Sequence, residues 1–211
     1  MSSNKVKQTF ICDFDDLNAT TPGTELLFKL KEHYPNFKCT CFTPGFHAAL
    51  MTKKVTIEKF KEWGKLIKNN PWIEVAPHGF AHLRREWLIN DKEILRTMLK
   101  ATENCLEKVL GLDFIKVFKF PFWEGSKEAE EVLLENGYTL AIDRNNPVTH
   151  TDIPTYIWSW SIEQPIPKYH TIKAHGHIWL TNNGLDIAYP NLLKMPTDAK
   201  FKTIGEYLNE K

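Results

Sequence analysis

The chain has 211 residues, 42% of them hydrophobic and 25% charged, which excludes a disordered chain and describes an ordinary globular protein. Its 27 Lys and Arg balance 26 Asp and Glu, so neither nucleic acid nor a charged membrane surface is the expected partner. This length predicts one domain over 1–211, with a core at about 9–180 and a C-terminal extension at 181–211.

The N-terminus, MSSNKVKQT, is polar and lacks the apolar stretch of a secretory signal, which predicts a cytoplasmic site of action. No apolar run approaches the ~20 residues that a membrane-spanning helix needs. TFICDF (9–14) then reads as an apolar strand ending in acids. ELLFKLKEH (25–33) reads as a helix, and 37–43 as the next strand. Cys39 and Cys41 alternate within that strand and so share a face. With Cys12 and Cys105 they read as small buried residues, because no second Cys or His pair completes a structural zinc pattern.

Further on, 57–69 repeats apolar residues at helical spacing, and 72–76 is a short strand running into Pro77 and His78. The segment 91–110 is the strongest helix, stopped by Gly111. A strand at 114–118 precedes the turn-like KFPFWEG, and 126–136 is a helix with a capping-box-like start. Segments 138–142, 156–161 and 171–174 read as further strands. Alternating strands and helices predict an α/β fold with parallel strands, as a barrel or an open sheet, and in such folds chemistry collects where strands end.

The polar residues of interest sit at those ends: Asp13, Asp15 and Asp16 after the first strand, His78 and His82 after another, Lys119 after a third, and His175 and His177 after the last. The spacing in His78-Gly79-Phe80-Ala81-His82 predicts two imidazoles on one side of a helical turn, suited to a single metal ion. Gly79 stands where a metalloprotease H-E-x-x-H motif carries its glutamate, so a base must come from elsewhere. Adjacent carboxylates can divide that labour, one holding the metal and its neighbour accepting a proton from water.

The order of these pieces resembles the polysaccharide deacetylase family, also called the NodB-homology or carbohydrate esterase family 4 domain. Asp13-Phe14-Asp15-Asp16-Leu17 resembles the family's T-F-D-D-G, IEVAPHGFAH its H-[ST]-x-x-H, Phe118-Lys119-Phe120-Pro121-Phe122-Trp123 its [FR]-R-P-P-[YF]-G, and Ile172-Lys173-Ala174-His175 its L-x-L-H. The resemblance runs from about Thr9 to Leu180. It implies a distorted (β/α) barrel in which Asp16, His78 and His82 hold a divalent metal. Two neutral imidazoles and a carboxylate suit zinc, with cobalt or nickel able to substitute.

It further implies that Asp15 is the general base, supported by Lys119, and His175 the general acid, with the oxyanion stabilised by the metal and by a backbone N–H near Phe122. The substrate would be a small molecule or oligosaccharide carrying an N-acetyl group on an amino sugar. The alternatives are a non-sugar amide, or carbohydrate binding with little turnover. Trp123, Trp160 and Trp179 lie beside motif residues, and Trp123 and Trp160 are expected to stack on a sugar. His177 is expected to contact substrate, support the acid or simply line the rim.

The chain also departs from the family. Leu17 takes the place of the motif glycine, Lys119 that of an arginine, and Lys173-Ala174 that of apolar pocket residues. The fourth motif, D-x-x-D-W, has no clean counterpart: Trp158-Ser159-Trp160 keeps an aromatic but not the acid. Asp13 is expected to face the barrel wall or pair with Lys119, without a catalytic role.

Overall fold

The computed structural model describes residues 7–21, 23–147, 149–178 and 185–210. In chain order its elements are β1 (Thr9–Asp15), α1 (Thr24–His33), β2 (Cys39–Thr43), the single turn α2 (Ala49–Thr52), α3 (Ile57–Lys68), β3 (Ile73–Pro77), α4 (Lys92–Asn104), β4 (Val117–Lys119), α5 (Lys127–Glu135), β5 (Thr139–Ile142), β6 (Thr155–Ile157), β7 (Trp160–Ser161), β8 (Thr171–His177), α6 (Leu185–Leu192), β9 (Lys200–Lys202) and α7 (Ile204–Leu208). Three of the longer helices start where side-chain acceptors meet free N–H groups: Thr56 caps α3, Asp91 caps α4 and Ser126 caps α5. The helix expected to reach residue 110 is α-helical to Asn104 and then widens into a π turn over Cys105–Val109. The strand expected at 156–161 is two short strands, β6 and β7, with a break at 158–159.

Every strand pair is parallel. One sheet runs β3-β2-β1-β8-β7, with β9 also on β1, and a second runs β4-β5-β6. The seam between β3 and β4 is bridged by a hydrogen bond from Ile115 N–H to the Val75 carbonyl at 3.0 Å. The strands therefore follow one another around a distorted, incompletely closed barrel. Strand alternation sorts the side chains. Phe10, Cys12 and Phe14 of β1 join the core under the helices, as do Cys39 and Cys41, while Ile11 meets Phe42, Ala76, Val117, Ala141 and Tyr156 inside the barrel.

Residues 185–210 fold back onto this body. β9 pairs with Thr9–Ile11, on the edge that β2 takes further along at Asp13–Asp15. α7 opens with a capping box at Thr203 and Glu206, and its Ile204 enters the barrel cluster. Glu74 ties α7 to the strands by accepting from Thr40 Oγ1 at 2.7 Å, Thr203 Oγ1 at 2.8 Å and the Gly205 N–H at 3.0 Å. One end of the barrel is thus filled by α7, and the opposite end, where the strands finish, carries the acids and imidazoles. No helix among the described residues is long and apolar enough to cross a membrane.

Candidate active site

Alternation places Asp13 and Asp15 on the inward face of β1 with Ile11, and register pairs them with His175 and His177 of β8. Asp16 follows in the left-handed region, φ 68°, a conformation that short polar side chains tolerate better than most. Its carbonyl accepts from Asn18 Nδ2 and Thr21 Oγ1, both at 2.9 Å, which fixes the turn. Leu17, in the place of the family glycine, is fully buried in the outer core.

His78 and His82 do not lie on a helical turn, contrary to the sequence expectation. Residues 78–83 form a loop, in which Gly79 (φ 75°) and His82 (φ 57°) are left-handed. A Cβ at Gly79 would collide with Glu86 and Pro121, so only glycine fits. The loop is held from both sides. Gly45, Phe46 and Ala48 donate backbone N–H bonds to the carbonyls of Gly79, Phe80 and Ala81, and the Glu86 carboxylate accepts from the N–H groups of Phe80, Ala81 and Leu83 and from Trp87 Nε1.

This frame brings His82 Nε2 to 2.7 Å and His78 Nε2 to 3.6 Å from Asp16 Oδ1. His78 Nδ1 donates to the Lys119 carbonyl at 2.9 Å, which leaves the Nε2 lone pair facing Asp16. His82 is packed between the His47 ring, stacked at 5.1 Å, and the Phe122 ring at 4.9 Å. No motif or spacing in the sequence marks His47 for this part.

Behind Asp16, His78 and His82 lies a buried charged cluster. Lys119, 1% exposed, donates to Asp13 Oδ1 at 2.8 Å and to Asp15 Oδ1 at 2.6 Å. Its ammonium also sits 3.9 Å from the centre of the Phe42 ring and 5.0 Å from that of Trp123. His175 Nδ1 lies 2.7 Å from Asp13 Oδ1, and its Nε2 lies 3.9 Å from Asp15 Oδ2. His177 Nδ1 is 3.8 Å from Asp15 Oδ2 and 3.7 Å from Asp16 Oδ2.

Burial alone would favour neutral groups here. It opposes ionisation of Asp15, but Lys119, reinforced by the neighbouring imidazoles, holds that carboxyl well below the usual range. Asp16 is likewise held well below the usual range, against burial, by the neighbouring imidazoles of His177, His82 and His78. Burial pushes His78 down to about 4, so it is a neutral donor at physiological pH. His82 and His177 are raised: burial opposes their charge, and the Asp16 carboxylate outweighs it.

Asp16, His78 and His82 offer ligand atoms within 4.8 Å of one another, and their donor set fits a divalent cation such as zinc. Asp15, His175 and His177 form a similar group. There the Lys119 ammonium lies 2.6 Å from Asp15 and 3.3 Å from His175, supplying the positive charge itself. The arrangement accordingly suits one metal ion, not two.

Trp123 and Trp158 flank His175, with ring centres at 5.5 and 5.2 Å. A cleft of about 210 Å³ opens there, lined by Trp123, Asp143, Trp158, Glu163, His175 and His177 among others. Trp160, expected to stack on substrate, does not reach it. Paired with outward-facing Ala174, it is 2% exposed and packs on Phe10 in the core. The break between β6 and β7 resets the alternation and leaves Trp158 facing the site. Phe122 is 40% exposed beside His82 with φ 56°. Trp179 lies outside the described residues. A larger cavity of about 380 Å³, beside Glu74 and Thr203 at the α7 end, holds none of these groups.

No family model matches the chain, and no curated protein matches it. Solved structures do. A peptidoglycan N-acetylglucosamine deacetylase superposes with a TM-score of 0.63 at 19% identity, covering 94% of this chain and 86% of that one. A family 4 acetyl xylan esterase from Clostridium thermocellum, in complex with a cobalt ion, gives 0.61 at 16% identity, covering 96% and 91%. A family 4 pseudoenzyme from Bacillus anthracis gives 0.61 at 17% identity, covering 97% and 66%. The chain has the α/β fold of the carbohydrate esterase family 4 deacetylases.

Proposed function

We propose that this chain is a metal-dependent deacetylase of that family, which hydrolyses an N-acetyl group on an amino sugar or related N-acylated carbohydrate. The observation that carries the proposal is the buried Lys119–Asp15 pair at 2.6 Å, set beside the Asp16, His78 and His82 group. A carboxylate kept ionised by a lysine, within 4.0 Å of His78, is equipped to accept a proton at neutral pH.

Asp16, His78 and His82 would hold the metal. A bound zinc ion supplies Lewis acidity, polarising the acetyl carbonyl and making water easier to deprotonate. Asp15 takes the proton of the attacking water. His175, whose Nε2 lies 3.9 Å from the same Asp15 Oδ2 that His78 Nε2 approaches at 4.0 Å, delivers a proton to the leaving nitrogen. Trp123 and Trp158 offer aromatic walls for a sugar ring, and His177 lies at the mouth of the cleft, where substrate would pass.

A second reading is a carbohydrate-binding protein with little turnover, favoured by the pseudoenzyme that shares this fold and by the lysine in the family arginine's place. Acetate release from a panel of N-acetyl sugars, by zinc-loaded and metal-stripped protein, separates the two. Zinc-dependent release supports the enzyme, and stoichiometric metal with no release on any substrate supports the binder.

A further inference from the structure

The family's fourth motif, D-x-x-D-W, has no clean counterpart in this chain. A carboxylate from β1 nevertheless stands at the His175 imidazole. We infer that Asp13 is the positioning residue for His175, and that it does this while sharing the Lys119 ammonium with Asp15. The inference rests on the deacetylase reading above.

Asp13 is completely buried, and Oδ1 is the point of convergence. His175 Nδ1 approaches it at 2.7 Å and Lys119 Nζ at 2.8 Å, while those two nitrogens stand 3.3 Å apart. Two nitrogens on one carboxylate oxygen are best served if both donate, since a shared anionic acceptor gives two charge-assisted bonds. The Nδ1 proton of His175 therefore points at Asp13, and ring geometry turns Nε2 the opposite way, to 3.9 Å from Asp15 Oδ2. A carboxylate that fixes the tautomer and orientation of an imidazole also stabilises its imidazolium.

The chemistry follows from that orientation. Water adds to the acetyl carbon and loses a proton to Asp15. The C–N bond then breaks, its electron pair passes to nitrogen, and the proton on His175 Nε2 joins that nitrogen, releasing amine and acetate. Asp15 sheds its proton and His175 regains one, so the sum is amide plus water to amine plus acetate. Asp13 touches neither substrate nor metal ligand in this scheme. It acts through His175, and a plain counter-ion of Lys119 would not.

The test uses leaving-group chemistry. The zinc-loaded wild type and Asp13→Asn are compared on an N-acetyl amino sugar, whose amine must be protonated to leave, and on 4-nitrophenyl acetate, whose phenolate leaves without a proton. The expected result is a kcat loss of ~100-fold or more on the amide, with KM within about threefold and metal content unchanged, and a loss of only about threefold on the ester. Equal losses on both substrates, or none on the amide, would overturn the inference while leaving the deacetylase reading intact. A wild type that hydrolyses neither substrate would defeat the deacetylase reading itself. A second measurement needs no variant at position 13. Nitrogen NMR of histidine-labelled wild type, with the signal assigned by its loss in His175→Ala, is expected to show His175 protonated at Nδ1. An Nε2–H-only tautomer would contradict the inference even if Asp13→Asn failed to fold.

Discussion

His78 and Lys119 are joined from backbone to ring: the imidazole Nδ1 donates to the Lys119 carbonyl at 2.9 Å, while the ammonium of the same lysine holds Asp15 at 2.6 Å. One residue at the end of β4 thus aims a metal-side imidazole with its main chain and ionises the proposed base with its side chain. The proposed metal and base halves of the site meet at this one residue.

Metal uptake is expected to be proton-linked through His82. Its pKa is raised by Asp16 above the ordinary imidazole value, so below and around that value a divalent cation must displace a proton, and affinity falls as pH drops through it. His78, pushed down to about 4, adds nothing to this dependence above about pH 5. Calorimetry with zinc in buffers of different ionisation enthalpy should show proton release near pH 6.5 that fades as pH rises. His78→Ala and His82→Ala should each lose stoichiometric zinc, whereas His33→Ala, exposed at the end of α1, should keep it.

Lys119→Met removes the charge that depresses Asp15 and leaves burial, which raises it, unopposed. The acidic limb of the pH–rate profile should therefore move to higher pH, with zinc affinity little changed. Stability should fall by about 3–5 kcal/mol, because Asp13 and Asp15 lose their shared buried partner. An unshifted limb in a folded, zinc-loaded variant would show that Lys119 does not set the ionisation of Asp15.

Glu86 is not among the proposed metal ligands, yet it accepts three N–H bonds from the loop that aims His82 and a fourth from the Trp87 indole. Glu86→Ala should weaken zinc binding by about 10–100-fold through loss of that frame, the scale seen when outer-shell support is removed. Zinc affinity equal to wild type would mean that the ladder to Gly45, Phe46 and Ala48 suffices.

The two tryptophans around the β6–β7 break should behave oppositely. Trp160→Ala empties a core position and should cost about 3–5 kcal/mol of stability. Trp158→Ala should leave stability nearly unchanged and raise KM for a sugar substrate. A KM effect from Trp160 alone, without destabilisation, would reverse the assignment made from its burial beside Phe10.

Much of this site is legible in the sequence because strand ends announce it. Asp15 and Asp16, His78 and His82, Lys119 and His175 each follow an apolar run, and their order matches a known pattern. The role of Asp13 is not legible, because its partner His175 lies 162 positions away and only the β1–β8 register brings them level. The HGFAH loop misleads for a local reason: i,i+4 spacing implies a helical turn unless one knows that Glu86 and Pro121 crowd Gly79. Trp160 misleads because alternation is interrupted at 158–159, where no sequence pattern marks a break. The contribution of β9 and α7 to the barrel depends on pairing with β1 across most of the chain, which local periodicity does not reveal.

The proposed function depends above all on a division of labour between adjacent carboxylates, with Asp16 holding metal and Asp15 accepting the proton. It is tested most directly by measuring zinc content and acetate release together in Asp15→Asn and Asp16→Asn. Asp15→Asn is expected to keep one zinc per chain and lose at least ~100-fold in turnover, while Asp16→Asn loses the zinc itself. Wild-type acetate release from Asp15→Asn, or full zinc occupancy in Asp16→Asn, would contradict it.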